Sequence, residues 1–385
     1  MPVWLFFRPF GATAYAVGCD LSPLRGLFFH LTADGGVGRR PCATPLCLLV
    51  VGYRSFAESF VNGPRIAVVG SYATGLTMKV GRLPSRGETL LGTGYRVDHG
   101  GKGSNQAVGC ARLGVQVSFV ARIGKDTFGE SALALYRDEG VNADEVRQIA
   151  ESPTGVGFIV VEAASGHNFI TIDPGANERL SANDVAACAA LSSPTVVLTQ
   201  LEIPVPAAEA ALTRGRSAGA ITILNPAPVR PLPASVLRNV DVLTPNESEA
   251  RVLAGLAPDS SIGPEEIARE LIRAGVKQVV MTLGESGALI VTGTSTTRIP
   301  AIRATAVDTT GAGDAFNAGL ATALARGAVL EVAVQFAVVT GGLAVTKEGV
   351  IPSLPHRDQV LEFYLQAGLT PPAWLSTISR ETNRA

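Results

Sequence analysis

Thr195-Val196-Val197-Leu198, Ala220-Ile221-Thr222-Ile223-Leu224, Val240-Asp241-Val242-Leu243 and Gln278-Val279-Val280-Met281-Thr282 are four short runs of mostly β-branched and aliphatic residues. Segments with helical character, Pro206 to Ala218, Asn246 to Leu253 and Pro264 to Ala274, lie between them. Strands that are apolar almost throughout are buried on both faces, and strands joined through helices run parallel. The expected fold is α/β, a mostly parallel central sheet flanked by helices on both faces.

Upstream, Ile66 to Val69 reads as a further strand ending at Gly70. Leu76 to Val80 and Thr89 to Val97 alternate around the turn signal Pro84-Ser85-Arg86-Gly87, and Gly157 to Ala163 with Asn168 to Ile172 read as a hairpin around Ser165-Gly166. These segments break the strand–helix rhythm and predict a small β-strand lid outside the main sheet. Helices are expected from Gly103 to Leu113 and from Thr127 to Glu139, the second capped by Thr127, with the strand Val117 to Ala121 between them. Downstream follow a strand pair near 287–302 and helices from Gly311 to Arg326, Leu330 to Thr346 and His356 to Ala367. One domain is expected over 64–368, with lid strands near 76–98 and 156–173 and a polar tail over 369–385.

The chain has 385 residues, 46% hydrophobic and 17% charged, with 32 basic against 33 acidic side chains. A core of that size excludes wholesale disorder. The charge balance argues against a nucleic-acid binder and against a polybasic membrane-surface protein. Five cysteines without CxxC spacing and four scattered histidines support neither a disulfide framework nor a zinc site, so a reduced, cytoplasmic protein is expected. Residues 1–63 hold three of the cysteines and no lysine, and lack the order of a signal peptide. They read as an N-terminal extension that is disordered or stems from a start codon assigned too far upstream.

The sharpest chemical feature is Val307-Asp308-Thr309-Thr310-Gly311-Ala312-Gly313-Asp314-Ala315-Phe316. Small residues open a helix after a strand and turn, where free N–H groups and the helix dipole make an anion site. Asp314 falls in the first turn. It serves there either as a simple helix-start acid or as the base that takes a hydroxyl proton during phosphoryl transfer. No GxxxxGK[ST] is present, and Phe316 stands where a dinucleotide fingerprint needs its third glycine, so a P-loop is excluded and a Rossmann oxidoreductase disfavoured. Gly100-Gly101-Lys102-Gly103-Ser104-Asn105-Gln106 permits close backbone approach to a ligand. Thr244-Pro245-Asn246-Glu247-Ser248-Glu249 reads as a capping box, or as a phosphate and magnesium-water site.

Together with Thr199-Gln200-Leu201-Glu202, Asn225-Pro226-Ala227-Pro228 and Thr282-Leu283-Gly284, these motifs resemble, in order from Arg65 to Ala367, the ribokinase-like family of carbohydrate kinases, the ribokinases above all. The resemblance implies a kinase that moves the γ-phosphoryl group of ATP to a primary hydroxyl, with D-ribose as the default acceptor. It implies Asp314 as catalytic base with Gly311, Ala312 and Gly313 as anion hole. Gly101, Lys102, Gly103, Ser104, Asn105, Glu202 and Asp314 match sugar-contacting positions. Asn246, Thr282, Leu283, Gly284, Glu285, Ser286, Gly287 and Gly313 match ATP-contacting ones, and Glu249 the magnesium-water position. Asp308, Thr310, Ala344, Lys347, Gly349 and Ser353 match a loop that holds potassium. The resemblance also implies a homodimer formed through the lid.

One departure stands out. The family carries Gly-Ser-x-Asn-x-Asp after its first strand, and the Asp grips two ribose hydroxyls. Here the stretch is Gly70-Ser71-Tyr72-Ala73-Thr74-Gly75, with Ala73 and Gly75 in the Asn and Asp places. Another sugar, a polyol or a nucleoside is therefore an alternative substrate, with Tyr72 and Tyr95 as the aromatic candidates near a base. Asp98 is read as a solvated lid residue, with the role of substitute carboxylate as its alternative. A non-catalytic sugar sensor on the same fold is the reading from another class.

Overall fold

The computed structural model describes residues 63–376 except 166, 258 and 259, together with four residues nearer the N-terminus. Those four form an antiparallel pair, β1 (His30–Leu31) with β2 (Val37–Gly38), in a unit spanning Met1–Glu58. Otherwise the expected extension up to residue 62, and the tail from 377, lie outside the described residues.

The unit Ser59–Ala385 is built on a nine-stranded sheet. Its strands are β3 (Arg65–Val69), then β6 (Gln116–Gly124) and β7 (Asn142–Ile149), numbered after the lid strands β4 (Ala73–Val80) and β5 (Thr93–Gly100). After the lid strands β8 (Gly155–Glu162) and β9 (Asn168–Asp173) come β10 (Val196–Thr199), β11 (Ile221–Leu224), β12 (Val242–Leu243), β13 (Gln278–Thr282), β14 (Ala288–Val291) and β15 (Thr296–Ile299). The order is β15-β14-β13-β12-β11-β10-β3-β6-β7. Pairing is parallel from β13 through β7 and antiparallel for β13-β14-β15.

The apolar runs that announced the sheet are buried, and the faces split along each strand by alternation. Ile66, Val68, Val196, Leu198 and Ile223 join a core with the helices Lys102–Arg112, Ala312–Ala325 and Leu330–Ala344. Ala67, Val69, Val197 and Leu224 join a second core with Val205–Ser217 and Pro264–Arg273. After β3 the chain builds β6 and β7 on one side and returns to build β10 onward on the other. The strand order therefore switches between β3 and β10. Crevices at such a switch, outside the carboxyl ends of the strands, are where open α/β sheets hold ligands.

A separate four-stranded sheet, β5-β4-β8-β9, is the predicted lid, with β4 parallel to β8 and the other pairs antiparallel. Its strand β5 runs later than expected, from Thr93 to Gly100. The helix Thr127–Asp138 is capped by Asp126, whose carboxylate accepts the Gly129 N–H, and not by Thr127. Strand β7 was not legible, because Asn142-Ala143-Asp144-Glu145 presents the polar pattern of a sheet edge. Past Gln366 the chain turns back: Leu375 is fully buried and the Trp374 ring meets Phe336 at 4.8 Å between centroids.

Candidate active site

The carboxyl ends of three central strands each bring a polar side chain to one cavity, Asn225 after β11, Thr244 after β12 and Thr282 ending β13, while Gln200 after β10 is fully buried. Facing them is the start of the helix Ala312–Ala325. Gly311 caps it with φ 83°, a left-handed conformation that a glycine takes at no steric cost. Ala312 N–H is taken by the Thr309 carbonyl. The following N–H groups, of Gly313 and Asp314, precede the first intrahelical bond and remain as donors at the positive end of the helix.

Asp314, only 6% exposed, is held by two carboxamides. Asn105 Nδ2 donates to its Oδ2 at 2.8 Å and Gln106 Nε2 to its Oδ1 at 2.9 Å. A chain of hydrogen bonds then runs from Gln106 Nε2 to Asn225 Oδ1 (3.1 Å) and from Asn225 Nδ2 to the Thr244 carbonyl (3.2 Å). Thr244 Oγ1 donates to Asn317 Oδ1 at 2.6 Å, and Asn317 Nδ2 donates to the Gly313 carbonyl at 2.8 Å. The chain thus closes on the neighbour of Asp314. Gln200 Nε2 braces it by donating to Gln106 Oε1. One acceptor beside the carboxylate is unused: Asn105 Oδ1 is buried with no partner, a natural receptor for a hydroxyl proton.

The glycine turn before Asn105 is shaped by close packing. Gly101 has φ 86°, and a Cβ there would lie 2.6 Å from the Tyr72 Cα; at Gly103 it would lie 2.5 Å from the Ser71 nitrogen. Glu202 Oε2 ties the turn down, accepting from Ser71 Oγ at 2.6 Å and the Lys102 N–H at 2.8 Å. Burial opposes the charge of Lys102, but the carboxylates of Asp314, Glu202 and Glu249 outweigh it and raise the pKa, so the ammonium persists. Burial pushes the Glu249 carboxyl up, against the Asn246 N–H and Lys102, which pull it down.

Asn246 and Glu249 form the predicted capping box, with bonds of 2.8 and 2.9 Å. Asn246 also bridges to Thr282, whose N–H donates to the Pro245 carbonyl. One cavity is lined by Lys102, Asn246, Glu249, Thr282, Gly311, Gly313 and Asp314, together with Asn225, Thr244 and Asn317. Of the positions expected from sequence, Lys102, Asn246, Glu249, Thr282, Gly311, Gly313 and Asp314 share this space, whereas Gly101, Gly103, Asn105, Glu202, Ala312 and Gly284, Glu285, Ser286 and Gly287 are not among its lining residues. Among the described residues no group of three His, Cys, Asp or Glu side chains could hold a metal ion. Glu249, half-buried at the edge of the cavity, is a carboxylate of the kind that holds magnesium through its waters.

Several expectations need correction. Ser104 is fully buried and its hydroxyl accepts from Tyr136 at 3.1 Å, so it is a core residue and not a sugar contact. The Leu283 side chain is buried in the core, and its N–H closes the hairpin onto Gly287. Tyr72 is no base-stacking platform: it is buried against Tyr136, its hydroxyl 2.8 Å from His99 Nδ1 and 3.3 Å from Thr74 Oγ1. Asp308 and Ser353 use their side chains within the loop. Asp308 accepts the N–H groups of Thr310 and Gly349, and Ser353 Oγ donates to the Val350 carbonyl. Asp308 thereby staples Thr310 to the segment carrying Lys347 and Gly349. Ala344, fully buried, accepts the Lys347 N–H. The bonds made by Gln106, Gln200, Asn225, Thr244 and Asn317 escaped the sequence reading, although for Gln200, Asn225 and Thr244 a polar residue just after an apolar strand is a readable signal.

Comparison with known proteins agrees with this geometry. Residues 64–357 match the model of the pfkB family carbohydrate kinases. The chain is 34% identical over 299 residues to the ribokinase of Haemophilus influenzae, covering 77% of this chain and 97% of that protein. It is 34% identical over 300 residues to the deoxyribokinase of Salmonella typhi, covering 77% and 98%. The structure of Arabidopsis thaliana ribokinase complexed with ribose and ATP superimposes with a TM-score of 0.72 at 33% identity, covering 78% of this chain and 98% of that one. With Asp314, the open helix start at Gly311 and Gly313, and Asn246 and Thr282 lining one cavity, and the family match spanning all of them, the chain belongs to the pfkB family of carbohydrate kinases.

Proposed function

We propose that this ATP-dependent sugar kinase acts on D-ribose, yielding ribose 5-phosphate and ADP. The observation that carries the reading is Asp314: a buried carboxylate fixed by Asn105 and Gln106 at a helix start whose next N–H groups are free. The Asp314 carboxylate takes the proton of the primary hydroxyl as that oxygen bonds to the γ-phosphorus. The bond from phosphorus to the bridging oxygen breaks, and its electron pair leaves with ADP. The Gly313 and Asp314 N–H groups and the helix dipole steady the charge on the transferring group. The Lys102 ammonium, in the same cavity, balances phosphate charge. Glu249 would hold a hydrated magnesium ion through water, and that ion neutralises phosphate oxygens when bound. The loops joined by Asp308 would present backbone carbonyls to a potassium ion.

The lid face bearing Tyr95, Val97, Phe158 and Phe169, each at least half exposed, supports a homodimer through the lid, and a cytoplasmic protein accords with the buried free thiols of Cys110 and Cys188. Sedimentation as a monomer at micromolar concentration would count against the dimer. Ala73 and Gly75, standing where the family carries Asn and Asp, favour a second reading, a different sugar or polyol as acceptor. The burial of Tyr72 weakens the nucleoside version. A coupled ADP-release assay on the full chain, with ATP, magnesium and potassium, separates these across pentoses, hexoses, polyols and nucleosides. Turnover with ribose supports the first reading and turnover with another alcohol alone the second. Sugar-induced stabilisation without any turnover would mean a sensor.

A further inference from the structure

Across the lid, Asp98 on β5 stands directly opposite Gly75 on β4, and Gly75 pairs in turn with Gly157 on β8. Cross-strand neighbours share a face of a sheet, so one carboxylate overhangs two positions without side chains. A Cβ built on Gly75 would meet Ile159 Cδ1 at 3.5 Å, the Asp98 carbonyl oxygen at 3.7 Å and the Asp98 Cβ at 4.0 Å, ordinary van der Waals contacts with no clash. The same face carries Arg96, two residues from Asp98. Arg96 Nη1 reaches Glu348 Oε1 at 2.7 Å, and its Nε lies 3.3 Å from Asp98 Oδ2. Glu348 precedes Gly349, whose N–H is bound by Asp308. The hollow therefore faces the body of the protein around the loop leading to Asp314. Strand β5 ends at Gly100, next to the turn that presents Lys102 and Asn105.

We propose that Asp98 is the sugar-recognition residue of the lid, its carboxylate accepting hydrogen bonds from hydroxyls of a polyhydroxylated substrate lying in the hollow over Gly75 and Gly157. The proposal rests on the kinase reading above and deepens it: the primary hydroxyl lies at Asp314 and the far hydroxyls at Asp98. Arg96 is then a positioning residue, holding the carboxylate toward the hollow from its anchor on Glu348. At 39% side-chain exposure Asp98 keeps access to a ligand.

The test is steady-state kinetics on the full chain with its best sugar. Asp98→Asn should raise KM for the sugar roughly tenfold to a hundredfold, the weight of one or two charge-assisted hydrogen bonds, with kcat and KM for ATP within about threefold. The double variant Gly75→Asp/Asp98→Gly moves the carboxylate across the strand pair and should recover most of that loss. An unchanged sugar KM in Asp98→Asn, or a swap variant as weak as the single one, would overturn the proposal. So would a Glu348→Gln variant reproducing the whole effect, which would reduce Asp98 to a strut of the lid contact. Wild type that turns over no sugar would fail the kinase reading itself, a result distinct from active wild type with an indifferent Asp98→Asn.

Discussion

Replacing Asp314 by Asn keeps the size of the side chain and removes the only feature the chemistry needs, a carboxylate able to take a proton. Both carboxylate oxygens accept from amide NH2 groups, at 2.8 and 2.9 Å. An asparagine has one oxygen, so its own NH2 must face either Asn105 or Gln106, donor against donor. One buried donor is left without an acceptor, at a cost of about 1–3 kcal/mol. For a folding unit of roughly 300 residues that lowers the melting temperature by about 2–5 °C. Lys102 also loses one of the three carboxylates that sustain its charge. Loss of general-base catalysis should lower kcat by about 10²–10⁴-fold, while the proposed nucleotide contacts Asn246 and Thr282 are untouched and KM for ATP should stay within a few-fold. The assay is coupled ADP release at saturating sugar, with a thermal melt to establish folding. A folded variant with kcat within tenfold of wild type would remove Asp314 from the role of base.

Other outcomes follow from the same geometry. Ser104→Ala should leave sugar KM unchanged and cost about 1–2 kcal/mol in urea denaturation by orphaning the buried Tyr136 hydroxyl; a raised KM would restore Ser104 to the sugar site. Thr244→Val keeps the shape but strips Asn317 Oδ1 of its donor, and should cost about 1–3 kcal/mol together with a fall in kcat; equal stability and activity would show that the closed chain of bonds is idle. Arg112 grips Glu139 with two bonds and donates to the Ile351 and Leu354 carbonyls. Its hydrogen bonds, against some burial, hold the Glu139 carboxyl below its ordinary value, so the pair's stabilisation is full above the unfolded-state pKa and fades as pH falls through the folded one. Arg112→Met should cost about 3–5 kcal/mol at neutral pH and flatten the acid limb of stability against pH; an unchanged acid limb would refute that assignment. Gly101→Ala forces a Cβ to 2.6 Å from the Tyr72 Cα at a left-handed φ, and should sharply lower the melting temperature; a melt matching wild type would contradict the packing of the turn.

The sheet was readable because Val196–Leu198 and Val279–Met281 are apolar throughout and Ile221–Leu224 is apolar but for Thr222, a pattern that burial on both faces imposes. Helix starts at Asn246 and Gly311 were readable for similarly local reasons, a capping box and a glycine in a left-handed conformation. What escaped depends on contacts between distant residues. Ser104 and Asn105 are neighbours in one helix, yet one faces Tyr136 and the other Asp314, and only the packing of that helix decides which is which. Gln106 gains its role from Asn225 and Gln200, over ninety residues away in sequence, by carboxamide pairing that no local pattern signals. Tyr72 near a glycine turn suggests a ligand contact until the core claims it. Asp98 reads as a solvated lid acid, with a substitute carboxylate as the alternative, and nothing in Val97-Asp98-His99 shows that a glycine lies opposite.

On the proposed reading, the two sheets divide the labour of the enzyme. Asp314 is locked to the ends of the central strands, whereas Gly75, Asp98 and Gly157 belong to a four-stranded appendage that shares no strand with that sheet. Substitutions in the appendage can remodel what is recognised while the phosphoryl-transfer centre keeps its geometry. Descendants of such a chain can acquire new acceptors by a handful of changes in the lid, and a library confined to positions 73, 75, 98 and 157 is the economical place to redirect it in the laboratory.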